Sequence, residues 1–300
     1  MRYTISLAFA SLLAGPALAE VPRVVADLPP VQSLVAQVMG DLGQPVLLLD
    51  RGADAHSFQL RPSQVRDLGA ADLVVWVGPE MTPWLDRALG GHRGDLRLAD
   101  VPGTHRQQFG ADKAHDHGHD DEHDGHGHDG FDPHLWLDPA NAGLWLGAIA
   151  AELTRLDPAN GATYAANAET AQARLQRLDA EIAVQLAPAQ GRPFYVFHDA
   201  YGYFAGHYGL TVAGSISAGD AAAPGAAHLS ELRAQMAGSS RCIFPEAQHD
   251  PKLVAQIADE TGAKVGAALD PEGSLLDPGP ALYEAVLRSL ADGIADCVAP

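Results

Sequence analysis

Six of the fourteen histidines fall between His115 and Asp129: His115, His117, His119, His123, His126 and His128, alternating with Asp, Glu and Gly. Imidazole nitrogen is a good ligand for borderline transition metals, so such a run can collect ions of that kind. It offers almost nothing apolar to bury, which predicts a solvated, mobile loop over 112–130. The run ends directly against Phe131-Asp-Pro-His-Leu-Trp-Leu-Asp-Pro139. Its chemistry is metal handling; storage, catalysis and carriage are all open on this feature alone.

Position sorts the other histidines. His56 follows the apolar run Val46–Leu49 and the turn Gly52-Ala53-Asp54, and His198 sits at the carboxyl end of Phe194-Tyr-Val-Phe197. Asp270 has the same placement after Lys264–Leu269, and His134 lies just before the helix start Asp138-Pro139. Ligands of open α/β sheets bind beyond the carboxyl ends of strands, so these four are the candidates for a shared site. Three imidazoles and one carboxylate would make a tetrahedral set for Zn²⁺. Taken singly, a histidine at a strand end is more often a hydrogen-bonded surface or core residue than a ligand, and Asp270 before Pro271 reads also as a turn former. His92 and His105 read as exposed loop residues, His207 as part of a helix face, and His249 as a helix start.

The elements that would position them alternate. Arg23–Ala26, Val46–Leu49, Leu73–Val77, Phe194–Phe197, Leu210–Val212, Cys242–Phe244 and Lys264–Leu269 read as short buried strands. Val31–Met39, Ser63–Ala70, Ala227–Met236 and Pro251–Thr261 read as the helices between them. Asp138-Pro139 and Asp157-Pro158 each set a capping carboxylate before a proline at the first helical position. The second of these opens a helical pattern reaching Leu186, about 40 Å long at 1.5 Å per residue. The expected fold is α/β, with two lobes, each a mainly parallel sheet flanked by helices, joined by one long rigid helix. The expected boundaries are a leader over 1–19, an N-terminal lobe over 20–157, a connecting helix over 158–187 and a C-terminal lobe over 188–300.

The leader reads as a cleavable signal peptide: Arg2, an apolar stretch from Ile5 to Leu13, and the small-residue site Ala17-Leu-Ala19. That stretch is too short to span a bilayer, so a soluble periplasmic protein is expected. The chain carries 38 acidic against 19 basic residues, which argues against nucleic acid and anionic membrane and favours cations. In an oxidising compartment Cys242 and Cys297 are expected to form a structural disulfide.

Four motifs in order carry a resemblance. Gly52-Ala-Asp-Ala-His56-Ser-Phe58 with Arg61-Pro-Ser63, Asp132-Pro-His134-Leu-Trp-Leu-Asp-Pro139, Phe197-His198-Asp-Ala-Tyr-Gly-Tyr-Phe204 and Leu269-Asp270-Pro271 resemble the metal motifs of the zinc/manganese solute-binding proteins of ABC importers, the cluster A-I family. Ile243-Phe-Pro-Glu-Ala-Gln248 and Ala258-Asp-Glu-Thr-Gly262 fit the stretch between them. The resemblance implies a site of His56, His134, His198 and Asp270. It also implies limited lobe closure about the helix and delivery of Zn²⁺ to a cognate ABC permease in the inner membrane. A periplasmic zinc metallochaperone is a second candidate partner, and a monomer is expected. His198, where manganese-selective relatives tend to carry a carboxylate, resembles the zinc branch, and nitrogen-rich sites suit zinc chemically. The chain is then not an enzyme, because four protein ligands leave no position for an activated water. The rival readings are a zinc hydrolase with a His/His/Asp site and Glu246 or Asp199 as base, and a metal buffer or adhesin working through the histidine run.

Overall fold

The computed structural model describes residues 20–90, 94–109, 130–217, 224–237 and 241–299. The leader over 1–19, His92 and the histidine run lie outside the described residues. The first sheet is parallel, in the order β2-β1-β3-β4, from β1 (Val24–Ala26), β2 (Val46–Leu47), β3 (Leu73–Trp76) and β4 (Asp95–Arg97). The second repeats the pattern in the order β6-β5-β7-β8, from β5 (Phe194–His198), β6 (Val212–Ser217), β7 (Cys242–Phe244) and β8 (Lys264–Val265). The central strands β1, β3 and β7 are buried at every position, as parallel strands covered on both faces must be.

Helices α1 (Pro29–Met39), α2 (Pro62–Gly69) and α3 (Pro83–Leu89) cover the first sheet, and α6 (Gly202–Tyr208), α7 (Ala226–Met236) and α8 (Lys252–Thr261) belong to the second. Between the sheets run α4 (Pro139–Leu156) and α5 (Gly161–Leu186). Asp138 caps α4 by accepting the Ala140 amide at 2.9 Å, with Pro139 preset for the first turn. Along α5, Tyr164, Ala168, Ala171, Leu175, Leu178, Ile182 and Leu186 recur at helical spacing and are buried. They pack on α4, α1 and the C-terminal helix α9 (Leu282–Val298). One apolar core therefore runs unbroken from β1 through α5 to α9. The connecting helix is thus welded along its length to both lobes.

The two cysteines are joined, Cys242 on β7 to Cys297 on α9, with Cα atoms 6.1 Å apart and a sequence separation of 55. A loop of that length corresponds to about 4 kcal/mol of chain-entropy stabilisation. It pins the last helix against the second sheet.

Several boundaries differ from the sequence reading. The strand expected at Leu210–Val212 runs instead from Val212 to Ser217. Gly214 lies against Tyr195 and Leu232, and such small residues carry little strand signal. The strand expected over Lys264–Leu269 stops at Val265, and pairing resumes only at the bridge between Glu246 and Leu269. A Cβ at Gly266 would sit 2.2 Å from the Phe244 ring, so the backbone there presses on the aromatic face. Helices α3 and α9 and strand β4 are additional to that reading.

A clamp of charged groups ties α6 to the central helices. His207 points one ring nitrogen at Asp138, 3.1 Å away at the start of α4, and the other at Asp179 on α5, 2.8 Å away. Facing carboxylates on both nitrogens favours the imidazolium, so the Asp138 contact above all raises the His207 pKa above 6.5. Burial would raise Asp138, but bonds from His207, His105 and the Ala140 amide outweigh it and hold it below 3.8. A raised histidine contributes stability below its unfolded value and loses it as pH rises through the folded one. A lowered carboxylate contributes above its unfolded value and loses it as pH falls through the folded one. The clamp is therefore fully formed between about pH 4 and 6.5. Replacing His207→Gln should cost about 1–2 kcal/mol at pH 6, and the gap from wild type should narrow steadily towards pH 9 in urea denaturation series.

Candidate metal centre

His198 is the last residue of β5, so its side chain emerges at the carboxyl end of the second sheet. His56 lies beyond β2 on a loop folded by Asp54, whose carboxylate accepts the His56 amide at 2.8 Å and the Ser57 hydroxyl at 3.0 Å. Trp84 on α3 anchors that loop by donating its indole N–H to the Ala55 carbonyl at 2.7 Å. His134 precedes the 3-10 turn Leu135–Leu137 that leads into α4. These three histidines converge, with one ligand atom from each lying within 4.8 Å of the others. His134 and His198 are buried.

The geometry is set from behind. His134 Nδ1 faces Asp132 Oδ1 at 2.8 Å, and its own amide donates to the same oxygen at 3.0 Å. Asp132 is held in turn by Gln107 Nε2 at 3.1 Å, and its carbonyl accepts the Tyr203 hydroxyl at 3.0 Å. His198 Nδ1 faces both oxygens of Glu246 at 3.1 and 3.2 Å, and Tyr201 donates its hydroxyl to Glu246 at 2.9 Å. A carboxylate accepting from the outer nitrogen leaves Nε2 of the neutral ring to present its lone pair inward. The two Nε2 atoms stand 3.2 Å apart. A tetrahedral ion with Zn–N bonds of about 2.0–2.1 Å requires an edge of about 3.3 Å. The pair is already spaced for one.

Their surroundings push the carboxylates around the imidazoles in different directions. Burial pushes Asp132 up to about 7, against the lowering effect of the His134 amide and Gln107. Burial acts on Glu246 in the same sense, but the charge and hydrogen bond of His198, with Tyr201, hold it below 4.5. Glu272 is pushed up to about 8 by burial and by the nearby Asp54, Glu246 and Asp270. The space between the groups, lined by Asp54, His56, His198, Glu246, Gln248, His249 and Glu272, is about 10 Å³. That is room for one water-sized sphere, whereas organic ligands occupy pockets of several hundred Å³.

Asp270, the fourth residue of the expected set, stands at the same end of the second sheet but outside this triad. Its two oxygens accept the Ser274 amide at 2.9 Å and the Leu275 amide at 3.0 Å, folding the loop that follows. His105 bonds Asp138 at 2.8 Å, His228 the Ser215 carbonyl at 2.8 Å, and His207 forms the clamp above. His249, read as a helix start, lines the space and stacks on Phe197 with ring centroids 4.4 Å apart. The orienting role of Asp132 and Glu246 and the presence of Glu272 were absent from the sequence reading. Asp132 had a local signal, two residues before His134; Glu246 stands 48 residues from its partner.

Because Glu246 fixes the tautomer of His198, Glu246→Gln should weaken zinc binding roughly tenfold in chelator competition, with the far-ultraviolet circular dichroism of wild type.

Known proteins share this architecture. The family described as Zinc-uptake complex component A periplasmic (ZnuA) matches residues 24–297. The high-affinity zinc uptake system protein ZnuA of Paracoccus denitrificans is 50% identical over 314 residues, covering 94% of each chain. The ZnuA protein of Brucella abortus is 35% identical, covering 97% of this chain and 96% of its own. Among solved structures, a ZnuA deletion mutant with zinc bound is 27% identical with a TM-score of 0.76, covering 93% of this chain and 99% of that one. The solute-binding protein FpvC of Pseudomonas aeruginosa in complex with Mn²⁺ has a TM-score of 0.78 over 93% of this chain and 98% of its own; at 23% identity it speaks for the fold alone. The chain belongs to the ZnuA family of periplasmic zinc-uptake components.

Proposed function

We propose that this chain captures Zn²⁺ in the periplasm through His56, His134 and His198 and delivers it to an ABC permease in the inner membrane. The observation that carries the reading is the pair of carboxylate-backed imidazoles, His134–Asp132 and His198–Glu246, with inner nitrogens 3.2 Å apart. Zinc, as cargo, is held by neutral nitrogen donors, with the Asp270 carboxylate as the fourth ligand. Family membership and the ZnuA relatives support zinc over manganese and transport over catalysis. Glu246, the general base of the hydrolase reading, is engaged by His198 and Tyr201. The space beside His56 and His198 is about 10 Å³, against several hundred Å³ for pockets that take organic ligands.

In this reading residues 1–19 are a cleaved leader, 20–157 and 188–300 are the lobes, and 158–187 is the link between them. The protein works as a monomer, loaded directly or by a zinc metallochaperone. No helix among the described residues is long and apolar enough to cross a membrane. The histidine run serves as an accessory collector next to His134.

Metal analysis and chelator competition test the reading. Wild type should hold one tight equivalent of zinc, and His56→Ala, His134→Ala and His198→Ala should each weaken it by roughly 100-fold or more, about 2.7 kcal/mol. Deleting 112–129 should leave that site intact. Loss of the tight site on this deletion, with retention in the three substitutions, would instead make the run the working element.

A further inference from the structure

The space beside His56 and His198 has walls from both lobes: Asp54 and His56 on the loop after β2, and Glu272 on the loop after β8. A seam of polar bonds joins these two loops. Gly52 donates its amide to the Ser274 carbonyl at 3.0 Å. Arg51 spans the rest, with one guanidinium nitrogen on Asp277 at 2.8 Å and another on the Leu275 carbonyl. A Cβ at Gly52 would lie 3.7 Å from the Leu275 side chain, so the two chains pass in close contact.

Each loop is anchored to its own surroundings apart from the seam. Asp50 is held by Arg61, at the start of α2, and by Gln64 at 3.2 Å. Its carbonyl accepts the Ala53 amide at 3.0 Å, closing the turn that presents Arg51. On the other side Asp270 accepts the Ser274 and Leu275 amides. The Pro271 carbonyl accepts the buried Trp136 indole N–H at 2.8 Å, and Gln32 accepts the Gly279 amide at 3.1 Å. The seam differs from these pins in its exposure. The side chains of Arg51 and Asp277 are 63% and 90% exposed. An exposed ion pair is weak and screened by salt, so the seam is the part that opens first as the structure fluctuates. The stretch 274–277 then lifts while Pro271 and Gly279 stay pinned.

We propose that Arg51 is a positioning residue that latches the two loops across the mouth of the metal centre and sets the rate of ion exchange. Its guanidinium bonds the facing loop, so its removal changes the passage and leaves the imidazoles in place. This rests on the three-imidazole reading and deepens it.

The test follows Zn²⁺ release from the full protein into excess chelator, and loading with Zn²⁺ alone, by stopped flow. Arg51→Gln should release zinc roughly tenfold faster, about 1.4 kcal/mol in the barrier. Loading should speed up by a similar factor, so that Kd moves by less than about threefold. Asp277→Asn, which leaves the Leu275 bond, should speed release to a smaller extent, and should add almost nothing on top of Arg51→Gln. Raising the salt concentration should speed release from wild type and leave the Arg51→Gln rate where it was. If Arg51→Gln does not fold, Asp277→Asn carries the rate and salt measurements. A wild-type release rate in either folded variant overturns the proposal. So does weaker binding with an unchanged loading rate, which would make Arg51 part of the hold on the ion. His134→Ala is the separate arm: wild-type affinity there sinks the imidazole site itself, whereas weak binding there beside unchanged Arg51→Gln kinetics removes only the latch.

Discussion

A carboxylate on the outer nitrogen of an imidazole decides what the inner nitrogen can do. At His134 and His198 that partner is Asp132 or Glu246, and the two inner nitrogens face each other 3.2 Å apart. Everything else about the centre follows from holding those pairs. Two like-oriented lone pairs 3.2 Å apart repel each other until a cation or proton lies between them. A site built in this way is organised before the ion arrives, so little reorganisation opposes binding.

The fold supplies the pairs by repeating one device. Parallel strands release their side chains at a common edge, and His198 and Glu246 leave neighbouring strands β5 and β7 at that edge. The first lobe contributes His56 and His134 from loops tied down by Trp84 and by the turn into α4. The contact of Arg51 and Gly52 with the 274–277 loop joins the halves over the site. With α5 buried along both lobes, large hinge motion would break an apolar core that is continuous through the molecule.

Much of this was legible in the residues. Short branched runs ended by turn residues marked most strands, and the Asp-Pro starts marked α4 and the long rod. The histidines at strand ends were readable because position on an open sheet is itself a chemical signal. Asp270 was readable by the same placement, and its oxygens accept the Ser274 and Leu275 amides that fold the loop after it. Glu246 is paired with His198 across strands, and no spacing rule links residues that meet only through β-sheet register. Strand β6 was shifted because its glycine and serines carry little strand signal, and Gly214 lies against the ring of Tyr195 and the side chain of Leu232. Helix α9 lies outside the elements expected from the sequence although its apolar spacing is regular. The histidine run announced metal first, and the centre assembled from other residues, with only His134 close to it in the chain.

The most direct test is an anomalous difference map from crystals of the protein loaded with one equivalent of zinc. The account predicts one strong peak about 2.0–2.1 Å from the inner nitrogens of His134 and His198 and from a ring nitrogen of His56. A principal peak held by other residues, with these three imidazoles unligated, would contradict it.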